Sequence, residues 1–228
     1  MAIKMANKLN SEIVKKYGLD AGASLVGIAS PDSFFLAPEG FKPTDVLDGC
    51  RSVIVFGAPF PKEAILDPSV EYIDIRTATN EKMNVISKNV AKRIKSDGYK
   101  TKAIGGMSGK WVEGMQHGHI SLKHAAEIAG LGIIGRNYLL INDKYGTLLW
   151  FSAVLTDAEL IPDEKAKYSV CDNCDKCVKT CPSKALDTPD LFEKKACANL
   201  MFKMEDKKWK IKCFLCRKIC PYHFGIPI

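Results

Sequence analysis

Eight of the nine cysteines fall between residues 171 and 220 of a 228-residue chain, and no other feature constrains the fold as strongly. Cys171-x2-Cys174-x2-Cys177-x3-Cys181-Pro182 and Cys213-x2-Cys216-x3-Cys220-Pro221 have the spacing of a bacterial two-cluster iron–sulfur site. Thiolates two residues apart grip one cube, while the cysteine before each proline turns away to ligate the other. The spacing therefore predicts one [4Fe-4S] cluster on Cys171, Cys174, Cys177 and Cys220. It predicts a second on Cys181, Cys197, Cys213 and Cys216. Cys197 lies sixteen positions before Cys213 and supplies the thiolate that the second run lacks.

Two other uses of these thiols are weaker. Paired C-x-x-C knuckles can hold zinc, but one ion takes four ligands and would strand the other four thiols. A disulfide framework conflicts with an odd count and with an N-terminus that does not read as a secretory signal. Cys50, in Asp48-Gly49-Cys50-Arg51, is the leftover and reads as a small core residue before an apolar strand.

About 170 residues precede the first cluster cysteine, enough for a true core. The chain therefore reads as an α/β domain over 1–160 followed by a double-cluster, ferredoxin-like domain over 161–228. Met1-Ala-Ile-Lys-Met-Ala-Asn-Lys is too polar for a signal peptide, and no apolar run approaches the length of a membrane span. A cytoplasmic protein is expected. The formal charge is +7, from 33 basic and 26 acidic side chains. Two cubes with their thiolates, each carrying about −2, would offset much of that. The run Lys207-Lys208-Trp209-Lys210-Ile211-Lys212 stands apart as basic residues interleaved with an aromatic. It reads as a solvated face, with contact to nucleic acid or to an acidic electron donor as the sharper alternative.

Along the chain, Asn10-Ser11 caps a short helix that ends at Gly18, and Ala23–Ala29 reads as a strand. Ser52–Phe56 is wholly apolar after its first residue, as in a strand buried on both faces. Apolar residues at helical spacing from Met83 to Ile94 predict a long helix over 76–96, stopped by Gly98. Lys100–Ile104 is the next strand, opening into a glycine-rich loop up to Gly118. Ser121 then caps a helix through Ile128. A hairpin is predicted around Asn142–Gly146, with strands at 137–141 and 147–155, and 157–169 reads as a linker. The whole is an α+β sandwich.

Gly130-x-Gly132-x-x-Gly135 fits the dinucleotide fingerprint only as a pattern. It follows a helix and enters a strand, the reverse of what phosphate binding needs. The glycines do allow close approach to another backbone or to a flat ligand. The stretch Ala129-Gly-Leu-Gly-Ile-Ile-Gly-Arg-Asn-Tyr-Leu-Leu-Ile-Asn-Asp-Lys-Tyr-Gly146, followed by Val154-Leu-Thr-Asp157 and the cysteine runs, resembles the epoxyqueuosine reductases and, more remotely, the reductive dehalogenases. The resemblance implies a nitroreductase-like domain that holds a corrinoid (cobalamin), and the close approach the glycines allow would seat such a flat macrocycle beside Gly130, Gly132, Gly135 and Arg136. It also implies that the cluster domain feeds that site single electrons.

In those reductases a proton-donating Asp precedes the stretch that matches Ala129–Gly132. Here the interval from Gly98 to Asn142 holds no Asp, which sets this chain apart and weakens tRNA as its substrate. His117, His119 and Glu113 stand in that interval as candidate proton donors, while His124 reads as structural. The leading expectation is a cobamide-dependent reductase supplied by a ferredoxin or flavodoxin. A flavin in place of the corrinoid, or an electron carrier with no chemistry of its own, are the alternatives.

Overall fold

The computed structural model describes residues 9–112, 114–188 and 191–227. Elements run in the order α1 (Ser11–Asp20), β1 (Leu25–Ala29), a 3-10 turn (Pro31–Phe34), α2 (Pro43–Val46), β2 (Ser52–Pro59), α3 (Glu63–Leu66) and α4 (Tyr72–Ser96). They continue through β3 (Thr101–Ile104), β4 (Gly109–Val112), β5 (Met115–Gly118), α5 (Leu122–Ile128), β6 (Ile133–Ile134), β7 (Leu140–Ile141) and β8 (Leu149–Thr156). The cysteine-rich part contributes α6 (Lys176–Thr180), α7 (Lys194–Met201), β9 (Phe202–Glu205), β10 (Lys208–Ile211) and α8 (Leu215–Lys218). The architecture is mixed α/β.

The main sheet has the order β1-β2-β8-β3, and each neighbouring pair is antiparallel. The expected hairpin over 137–155 does not form. β7 pairs with β6, while β8 lies between β2 and β3. The reason is burial: Leu149–Thr156 is apolar on both faces and buried along almost its whole length, so it needs a strand on each side. β2 is the other central strand and runs past Phe56 to Pro59, opposite Leu149.

Helices cover both faces. Val14 of α1 and Met83, Ile86, Val90 and Ile94 of α4 meet Ile28, Ile54, Phe56 and Val154 on one side. Ala125, Ala126 and Ala129 at α5 meet Val53, Val55, Ala153 and Leu155 on the other. The alternation of partners along β2 follows the two-residue period of a strand. Asn10 caps α1 by accepting from the Ile13 N–H at 3.0 Å, and the helix continues to Asp20, two residues past Gly18. α4 starts at Tyr72, a turn earlier than the spacing predicts, because Tyr72 anchors it by stacking on Phe214 with ring centroids 4.8 Å apart. Glycines hid the β4–β5 hairpin, which occupies the segment expected as a loop.

The 157–169 segment is tied down along its length. The Ser52 hydroxyl accepts from the Leu160 N–H and donates to the Ala158 carbonyl, both within 3.0 Å. Asp163 accepts from the Ile28 N–H at 2.9 Å, pairs with Lys15 at 2.6 Å, and donates its own N–H to the Ile28 carbonyl at 2.8 Å. Asp163→Ala keeps the backbone bond to the Ile28 carbonyl but strips the Ile28 N–H and Lys15 of their carboxylate, and should lower stability by about 2 kcal/mol. A fall in the urea midpoint at unchanged m checks this, and an unmoved midpoint refutes it.

The cysteine-rich part shares a core with the rest. Phe60, Ile65, Tyr72 and Leu148 pack with Ile211, Phe202, Phe214 and Phe224.

Candidate metal and redox site

Two stretches of chain bring the thiols together. Cys171 opens the first with a positive φ of 67°, Asn173 repeats it at 55°, and α6 then carries Cys177 inward. Non-glycine residues in this region are uncommon and concentrate where a backbone wraps a site. Cys171, Cys174, Cys177 and Cys220 line one narrow cleft with Asn137 and Tyr222, with a volume of only about 10 Å³. Cys197 on α7 and Cys216 on α8 are electrostatic neighbours of one another and of Cys181 and Cys213. The α7–β9–β10 excursion, absent from the sequence reading as regular structure, fills the sixteen positions between Cys197 and Cys213.

All nine cysteines are free thiols. Burial pushes the Cys220 thiol up to about 11, with the nearby Cys171, Cys177 and Cys174 adding to the shift. Cys216 is likewise raised by burial to about 11, opposed by the adjacent Arg217 guanidinium. Metal-free, these groups stay protonated at neutral pH, so binding of a metal centre must release protons. Among the described residues, no three His, Cys, Asp or Glu side chains converge as ligands of a single ion. Four thiolates on one zinc, at Zn–S distances of about 2.3 Å, would have to lie much closer together than ligands on the separate irons of a cube.

Cys50 lies apart, buried in the core between the sheet and α5, with its thiol on the Ser52 carbonyl at 3.5 Å.

The glycine segment reaches this site at one end only. Gly130, at φ +74°, ends α5, and a Cβ there would stand 2.2 Å from the Glu164 carbonyl oxygen. At Gly132 a Cβ would stand 2.4 Å from the Ile141 carbonyl oxygen. The close approach expected at both positions is therefore made by the chain's own backbone, and the flat-ligand argument loses its footing there. Gly135 differs, since its Cβ direction meets Cys171 Sγ at 3.2 Å. The Arg136 N–H donates to Cys171 Sγ at 3.4 Å, and its guanidinium reaches the Cys174 carbonyl at 3.5 Å. Arg136 thus stands beside the first thiol group.

His117 is on β5, opposite Lys110 and 6.0 Å from the Phe41 ring, and His119 follows just beyond the strand. Both are half-buried. Glu113 lies outside the described residues. His124 bonds Ser121 Oγ through Nδ1 at 2.6 Å and has its pKa lowered by burial, then by Lys123.

Sequence reasoning missed Asn137, Lys123 and Arg217. Asn137 is buried and donates to the Cys216 carbonyl at 3.3 Å while lining the cavity of the first thiol group, so it touches both. Lys123 donates to the Tyr138 carbonyl, and burial pulls its pKa down to about 8. Arg217 was legible only as a charge inside the Cys216-x3-Cys220 loop.

The fold is mixed α/β, with Cys171, Cys174, Cys177 and Cys220 along one cleft and Cys181, Cys197, Cys213 and Cys216 near one another, Cys177 also feeling Cys216. No family model matches the chain. It is related in sequence to the epoxyqueuosine reductases and the reductive dehalogenases. It is 32% identical over 108 residues to the epoxyqueuosine reductase of Lactococcus garvieae, a match covering 43% of this chain and 30% of that protein. It is 36% identical over 155 residues to the tetrachloroethene reductive dehalogenase of Desulfitobacterium hafniense, covering 64% of this chain and 24% of that protein. The matches thus span about a third or less of these relatives' lengths. The fold is shared with a solved epoxyqueuosine reductase bound to a tRNA stem loop, at a TM-score of 0.64 and 19% identity over 95% of this chain and 66% of that one. A solved reductive dehalogenase described in terms of B12-dependent dehalogenation gives a TM-score of 0.68 at 19% identity, over 92% of this chain and 31% of that one.

Proposed function

We propose that this chain is an iron–sulfur oxidoreductase in which two [4Fe-4S] clusters carry single electrons to an acceptor at the N-terminal α/β segment. The observation that supports the reading is the convergence of the eight thiols, four of them along one cleft whose Asn137 also bonds the Cys216 carbonyl. Cys171, Cys174, Cys177 and Cys220 would hold one cluster, and Cys181, Cys197, Cys213 and Cys216 the other. The clusters supply one-electron transfer. The chain's own part is to bury the thiols, orient them and exclude water.

The finer reading makes the acceptor a corrinoid in a nitroreductase-like domain over 1–160, with a ferredoxin-like domain over 161–228 as its supply. Its support is kinship with the reductases and with a B12-dependent dehalogenase. Gly130 and Gly132 do not support it, since their open sides are filled by Glu164 and Ile141. His117 and His119 remain the candidate proton donors, on a ribbon beside Phe41. A flavin is the weaker candidate for the same place. A tRNA partner rests on the stem-loop complex of one neighbour, and a cytoplasmic setting on kinship. Among the described residues no helix is long and apolar enough to cross a membrane.

A second reading, an electron carrier without its own chemistry, draws on the β9–β10 ribbon. Met204 and Trp209 face each other across it, 59% and 56% exposed, with Lys207 and Lys208 at the turn. An exposed apolar pair fringed by lysines next to a redox site suits an acidic donor protein such as a ferredoxin or flavodoxin. Titration of anaerobically purified protein with cobalamin, followed by calorimetry and by the Co(II) spectrum, separates the two. Saturable binding is expected. No binding at cobalamin concentrations far above the protein's would reject the corrinoid and leave the carrier.

A further inference from the structure

Three cations gather near the second thiol set, with no carboxylate paired to them among the described residues. Arg217, on α8 between Cys216 and Cys220, is only 6% exposed. Its guanidinium lies 5.4 Å from the Phe60 ring centroid, and its Nη1 is buried with no hydrogen-bond partner among the described residues. Lys123 approaches from α5, held by the Tyr138 carbonyl and set 5.8 Å from the Phe192 ring centroid. Lys194, at the start of α7, donates to the Gln116 carbonyl at 2.5 Å. Lys123 feels both Arg217 and Lys194 as repelling neighbours and Cys216 and Cys197 as attracting ones. Among the described residues no ion pair involves any of the three.

A buried guanidinium with an unmade bond is costly unless an anion completes it. Like charges gathered around it raise the cost further, and among the described residues no carboxylate pairs with it. The first thiol set is built differently. Its cations, Arg136 and Lys176, are both exposed, as Lys194 is at the second set, and water screens them; Arg217 is the buried one.

We infer that Arg217, assisted by Lys123 and Lys194, forms a cationic socket that makes the cluster on Cys181, Cys197, Cys213 and Cys216 the more easily reduced of the two. The inference rests on the cluster reading given above. Each electron taken from a donor adds one negative charge at its site, and no proton need follow. A fixed buried cation favours that added charge, whereas a screened one favours it little. Electrons entering at the Cys171 set then run downhill to the second set. These side chains are tuning residues, since none is a ligand.

The test is a dithionite titration of the anaerobic holoprotein, read by EPR, on wild type, Arg217→Met, Arg217→Lys and Lys123→Met, with iron and sulfide assayed in each. Arg217→Met should move the higher midpoint to more negative potential and leave the lower one in place. Arg217→Lys should restore most of the shift. If Arg217→Met fails to assemble both clusters, Lys123→Met carries the same expectation from outside the ligand loops. Full iron with both midpoints unmoved, or with only the lower one moved, overturns the inference and leaves the cluster reading standing. A wild-type protein without iron and sulfide removes the cluster reading and the inference together.

Discussion

Cys197→Ser should cut the iron and acid-labile sulfide of the anaerobically purified protein from about eight each to about four each. Cys197 lies sixteen positions from each of its nearest proposed partners, yet α7 sets it beside Cys181 and Cys213. A serine hydroxyl there holds iron poorly, so one cube should go while the Cys171 set keeps the other. Cys50→Ser should leave both, because Cys50 is sealed in the core between the sheet and α5. An unchanged iron content in Cys197→Ser, or a loss in Cys50→Ser, would contradict the ligand assignment.

The second large effect is on stability. Gly132→Val places a branched side chain at φ +156°, with its Cβ 2.4 Å from the Ile141 carbonyl oxygen and 3.1 Å from a Leu140 methyl. Ile141 cannot step aside, since it pairs with Ile133 and its carbonyl accepts from the Tyr168 hydroxyl at 2.9 Å. The substitution should destabilise the protein by about 3 kcal/mol or more. Its urea midpoint measures this, and a midpoint equal to that of the wild type would show that the β6–β7 ribbon yields. Loss of cobalamin binding in this variant would consequently say nothing about a macrocycle at Gly132, because the damage lies in the packing.

The parts of the fold legible in the sequence are those fixed locally. Cysteines spaced two and three apart reveal a ligand run because the constraint spans a single turn of chain. The apolar period of α4 and the unbroken run of β2 are equally local. Choice of partner is not local, which is why β8 was taken for half of a hairpin when it closes the centre of the sheet. The glycines at 130, 132 and 135 announced close approach without saying to what. Two of them meet backbone and the third meets Cys171. Lys123 and Arg217 were illegible because α5 and α8 meet only in the folded chain, and each alone reads as an ordinary surface charge.

The core shared by Phe60, Ile65 and Tyr72 with residues 201–224 has a consequence for biosynthesis. The four-stranded sheet has all its strands once Thr156 has left the ribosome, but these three apolar side chains then wait for Ile211, Phe214 and Phe224. Such surface, uncovered while synthesis continues, invites association with other chains. The covering residues lie in the same stretch as the cysteines. If these residues take up the proposed clusters, the nascent protein's exposure to aggregation is tied to how quickly they do so, and a cell short of iron should recover less of this protein in soluble form.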